Sequence, residues 1–157
     1  MKTNTYLLLL LTIFFISLFG SCKHSKKEAV HENAPSYLIN DQSCIEHIIS
    51  VDDSIGKIRN YNCEKISLSA TIRIYTSGLE ELDFSACPED FTVAFNAHIQ
   101  AWKDMTTLTD KYLRLRGEMH DLFDEIEAGE DAEEFKPLLD NIWSTWAEIE
   151  KAMPDKK

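Results

Sequence analysis

The sequence predicts an all-α domain, a four- or five-helix bundle. Three observations predict it. After Asp41, apolar residues recur at steps of three and four through most of the chain, the spacing of one helix face. A single run alternates apolar with polar residues, and a lone strand would leave its backbone groups unpaired. About 115 residues remain for folding once the N-terminal segments are set aside, enough for one hydrophobic core.

In the first helix, Asp41 to about Asn60, the face is Cys44, Ile48, Val51, Ile55 and Ile58. His47 falls off that face, and Asn60-Tyr61-Asn62 breaks the pattern. Residues 64–83 hold the alternating run: Ile66, Leu68, Ala70, Ile72 and Ile74 against Ser67, Ser69, Thr71 and Arg73. It reads as a strand, but no second alternating run offers a partner. Wound as a helix it makes two apolar faces, Ile66/Ala70/Ile74 and Leu68/Ile72/Tyr75/Leu79/Leu82, which suits an inner helix packed on both sides. Helix is the expectation.

The segment "SACPEDFTVAFNAHIQAWKDM" has a legible start. Pro88 fits the first helical position, and Glu89 and Asp90 complement the positive helix end. Phe91, Phe95, His98, Trp102 and Met105 line one face, and the stripe runs on through Leu108, Tyr112, Leu115, Met119, Leu122 and Ile126. One helix of that length would extend roughly 60 Å, so a bend is expected at the threonines 106, 107 and 109, where Thr107 and Asp110 resemble a capping box. Gly129 closes the helix. The last helix runs from about Glu133 to Met153 on Phe135, Leu138, Leu139, Ile142, Trp146 and Ile149, with Pro137 tolerable only in its first turn.

The chain opens differently. An apolar stretch from Tyr6 to Phe19 ends in "FGSCKHSKKE". As a helix its roughly 21 Å falls short of the roughly 30 Å of a bilayer core, and one positive charge, an apolar centre and small residues form the layout of a secretory leader. Phe19-Gly20-Ser21-Cys22 resembles the lipobox of bacterial lipoproteins, with Phe19 departing from the usual Leu, Val or Ile. The resemblance implies cleavage after residue 21, diacylation of Cys22 and membrane attachment through the acyl chains, two of which anchor stably where one does not. Lys23 stands where the inner-membrane retention signal carries Asp, which implies the outer membrane, facing the periplasm. The expected organisation is thus a leader over 1–21, a lipidated tether over 22–40 and a helical domain over 41–157. Lys23, Lys26 and Lys27 lie where anionic headgroups would be.

Charge narrows the partners. The whole chain carries −11; all 27 acidic residues and all but four of the 16 basic ones follow Lys27, so the remainder carries about −15 (12 against 27). Such a body is repelled by nucleic acid, whose binding needs Lys and Arg at the phosphates. It attracts basic proteins.

Of the remaining cysteines, Cys44 and Cys87 would meet at one end of an antiparallel helical hairpin, with Cys63 at the other; a Cys44–Cys87 disulfide is expected in an oxidising compartment. As a nucleophile, Cys87 lacks a base, since His98 is three turns along the same helix, roughly 16 Å away. His98 on its apolar stripe reads as a buried, hydrogen-bonded histidine or, with His120 opposite, as a haem or metal ligand in a bundle. No C-x-x-C-H or zinc spacing supports the latter. In "DLFDEIEAGEDAEE", an EF-hand register on Gly129 puts Ile126 and Ala128 at ligand positions, so no calcium loop is expected. No reactive constellation, resident cofactor or metal is expected. The sequence therefore points to a non-catalytic, membrane-tethered periplasmic module, an inhibitor or immunity lipoprotein for a basic protein being its most concrete form. A haem- or metal-binding bundle using His98 is the alternative.

Overall fold

A computed structural model describes the backbone of residues 36–154 and side chains from Asp41 onward. The leader, Cys22 and the tether's lysines lie outside the described residues. Five α-helices and no strand occur among the described residues: α1 Ser36–Cys63, α2 Leu68–Glu80, α3 Glu89–Thr109, α4 Met119–Glu127 and α5 Ala132–Ala152. The fold is an all-α bundle.

Helix α1 is longer than the pattern indicated at both ends. It takes in residues 36–40 of the expected tether and runs through Asn60-Tyr61-Asn62 to Cys63. Of its expected face, Cys44 and Ile48 are buried and Ile55 packs half-buried against the core, whereas Ile58 is exposed; Ile45 and Asp52 are buried as well. Ser67 then caps α2, its hydroxyl accepting from the Ala70 N–H (3.3 Å) and satisfying one of the free amides of the first turn.

The alternating run is therefore helical, but it buries one face and not two. Leu68, Ile72, Tyr75 and Leu79 are buried, and Ile74 on the other face is exposed. Only α1 and α3 pack extensively on α2, so the Ile74 face has no neighbour to bury it.

In α3, Pro88 stands one residue outside the helix as its cap, and Glu89 and Asp90 occupy the first turn. Phe91, Phe95, His98, Trp102 and Met105 are all buried. The helix stops at Thr109, and a nine-residue connection over 110–118 replaces a simple bend. Tertiary bonds decide that stop. Asp110 accepts from the Ser69 hydroxyl and from Arg73 (2.5 Å), so it does not form the expected capping box with Thr107, whose hydroxyl bonds the Asp104 carbonyl. Backbone bonds Leu68 N–H to Leu115 O (2.8 Å) and Gly117 N–H to Cys63 O (2.9 Å) stitch the connection to the α1–α2 turn.

Glu118 caps α4, accepting from the amides of His120 (2.8 Å) and Asp121 (3.2 Å). Helix α5 starts at Ala132, which puts Pro137 inside the helix and beyond the first turn. The fold tolerates it because both Pro137 and Glu133, whose carbonyl loses its helical donor, are exposed to solvent.

The most extensive packing is α3 on α5, followed by α2–α3, α1–α2 and α4–α5. Phe91, Phe95, Ile72, Phe135, Ile142 and Ile149 are almost wholly buried in the core these helices share, each stabilising the fold by about 1.5–3 kcal/mol. The order α1–α2–α3–α5–α4 leaves α1 and α5 without extensive packing on each other, and the bundle is open along that seam.

Candidate functional site

A cleft of about 500 Å³ occupies the open seam, within the roughly 300–1,000 Å³ of small-molecule sites. One wall is α1, where Asp52, Gly56 and Arg59 follow helical spacing. The facing wall is apolar: Met119 and Phe123 from α4, and Leu139, Ile142, Trp143 and Trp146 from α5. Tyr75 from α2 and His98 and Trp102 from α3 form the floor. The chain has three tryptophans, and all three line this cleft.

Arg59 is set by the floor. Its guanidinium carbon lies 4.5 Å from the ring centres of both Tyr75 and Trp102, which meet edge to face at 79° with centroids 5.4 Å apart. Two aromatic faces hold the cation by the ring quadrupoles. Its Nε and Nη2 donate to Asn60 Oδ1 (3.2 Å each). Nη1 donates to none of the described residues, and no described carboxylate forms an ion pair with Arg59.

Asp52, 9% exposed, accepts the Tyr75 hydroxyl at 2.6 Å. Burial pushes its carboxyl above the usual carboxylate range, with the Tyr75 bond and the Arg59 charge opposing. Burial also raises the Tyr75 phenol, as does the adjacent carboxylate.

His98 is 4% exposed and both its ring nitrogens are engaged. Trp102 Nε1–H donates to Nε2 at 3.1 Å. An indole nitrogen can only donate, so Nε2 is the acceptor and the proton sits on Nδ1. Nδ1–H then donates to the Thr145 hydroxyl (2.9 Å), whose own proton goes to a carbonyl of the preceding turn, Asn141 (2.9 Å) or Ile142 (3.0 Å). Burial first, and the Arg59 charge second, push His98 down to about 4, against the pull of the Ile142 carbonyl. Metal or haem ligation at Nε2 would require breaking the Trp102 bond. His120 lines the rim, mostly exposed and paired with Glu118 (2.9 Å). Among the described residues no group of three His, Cys, Asp or Glu is placed to hold a metal ion, and no helix is long and apolar enough to cross a membrane.

The other candidate residues lie elsewhere. Cys44 and Cys87 are joined by a disulfide, so Cys87 carries no thiol for nucleophilic chemistry. Cys63 is free and buried. None of these three cysteines lines the cleft. Sequence spacing singled out His98 but missed Asp52, Arg59 and Tyr75 as a group. One signal was available: Cys44, Ile48 and Asp52 are four residues apart, which puts a carboxylate on an apolar stripe. Among the described residues, the cleft lining contains no Ser, Thr or Cys. What the arrangement offers is apolar area, a stacked cation and a buried acid, the components of recognition. Comparison with protein-family models, curated proteins and solved structures found no match to this chain.

Proposed function

We propose that this chain is a lipid-tethered envelope module that binds a ligand without transforming it, and that its binding element is the α1–α5 cleft. The observation that carries the reading is Arg59, held on two rings at the floor of an open aromatic cleft with no carboxylate partner among the described residues. The tether rests on the lipobox-like Phe19-Gly20-Ser21-Cys22.

Gly56 supplies the test. It lines the cleft, and a Cβ built there meets nothing within 4 Å. Gly56→Phe should fill the cleft while leaving the fold intact. Tryptophan emission should respond saturably to single-chain amphiphiles in the wild type and not in Gly56→Phe. Equal responses from both proteins would sink the assignment to the cleft.

A basic protein as partner is a second reading. The exposed carboxylates Asp121, Asp124, Glu125, Glu127, Glu130 and Glu133 around α4 and the start of α5 have no cation partner among the described residues, and such a surface steers a cationic protein into contact. Association should weaken steeply with salt, and a pull-down recovering nothing basic at low salt would remove this version.

A further inference from the structure

Building on the cleft as the binding element, we infer that its ligand is an amphipathic organic anion, a single-chain carboxylate whose head sits on Arg59 and whose apolar body lies against Phe123, Leu139, Trp143 and Trp146. In a chain with 27 acidic against 16 basic residues, half-buried Arg59 forms no ion pair with any described carboxylate, because Asp52, the buried acid of the same cleft, is bonded to the Tyr75 hydroxyl and feels Arg59 only through its charge. The two rings hold the guanidinium carbon at 4.5 Å and Asn60 takes its Nε and Nη2, while Nη1 donates to none of the described residues, so one edge of the guanidinium fork is left to donate to a carboxylate. Lys57, the other cation of the α1 wall, is already paired with Asp53 at 2.6 Å. Arg59 is the cation left to receive a head group.

The cleft volume, about 500 Å³, falls within the range of small-molecule sites. Polarity orders the ligand: the charged α1 wall lies opposite the apolar α4–α5 wall, so a body and a head are recognised on different sides.

Full-length protein in phosphatidylcholine vesicles, with protein-free vesicles as blank, can be titrated through its tryptophan emission. Octanoate, 1-octanol and octylammonium share one chain and differ in head group; free concentrations are set by equilibrium dialysis. Octanoate should bind about tenfold more tightly than octanol, the equivalent of one charge-assisted hydrogen bond, and octylammonium weakest. Arg59→Gln should remove the preference for octanoate, Arg59→Lys should retain part of it, and Trp143→Ala should weaken octanoate and octanol alike. If Arg59→Gln does not fold, Arg59→Lys and the wild-type series decide. Equal binding of octanoate and octanol, or tighter binding of octylammonium, overturns the anionic ligand while leaving the cleft a binding site. No saturable response to any of the three overturns both.

Discussion

Trp102 gives its one hydrogen-bond donor to His98 Nε2 across 3.1 Å, one turn away on α3. This bond assigns the histidine tautomer and makes a neutral imidazole part of the cleft floor.

Acidification tests it. His98 titrates near 6.5 when unfolded and near 4 in the fold, so between those values the unfolded chain binds more protons. Its contribution is fully present above about pH 6.5, falls through the window and is gone below about pH 4, a loss of up to about 3 kcal/mol. Arg59 and Asp52 on α1, Tyr75 on α2 and His120 on α4 border the same cleft, and Asp52 acts in the opposite sense because its raised carboxyl takes a proton earlier in the folded state. Denaturant midpoints should drop from pH 7 to 4.5, and His98→Gln should flatten the slope. A His98 resonance titrating near its ordinary value would contradict the assignment.

Tyr75→Phe removes the donor to Asp52 and leaves the buried carboxylate short of a partner. The expected cost at pH 7.5 is about 1.5–3 kcal/mol. It should shrink as the pH falls, since a carboxyl raised by burial takes up a proton earlier than an ordinary carboxylate and then no longer needs the phenol. Urea unfolding of both proteins at the two pH values measures it; a pH-independent cost would show that packing, not the bond, was lost.

The Cys44–Cys87 bridge closes a separation of 43 residues, worth about 4 kcal/mol on the chain-entropy model. Cys44→Ser should lower stability by an amount of that order. Thiol titration of unreduced, denatured protein should find only Cys63 if Cys22 is acylated. A second thiol would mean that Cys22 is unmodified, and a third or fourth that the bridge is open.

Gly56→Ala should raise stability by about 0.5–1 kcal/mol, because a helix-interior glycine loses more backbone freedom than alanine and the added methyl meets open space. A lower melting temperature would show that the cleft is narrower than its walls indicate.

The strongest periodicities were legible residue by residue. All five residues from Phe91 to Met105 named for α3 are buried, because α3 packs extensively against both α2 and α5. Weaker faces were placed only in part. On α1 the expected stripe holds at Cys44 and Ile48 and fails at Ile58, which is exposed, because the position of α2 decides which side of the helix is covered. The cleft was less legible still. Its polar members Asp52, Arg59, Tyr75 and His98 come from three helices, and Arg59 acquires its meaning only when Tyr75 and Trp102 come together beneath it.

By itself, the sequence determined that the domain is helical, which face of α3 is buried and which cysteines share an end of the hairpin, because each follows from local spacing along one chain segment. The tertiary structure alone decided where α3 stops, that Ile74 faces water and that α1 stands apart from α5. Those outcomes depend on which helix lies beside which. The balance of burial, hydrogen bonding and charge that decides them is struck between residues as distant in sequence as Ser69 and Asp110, and no local pattern records it.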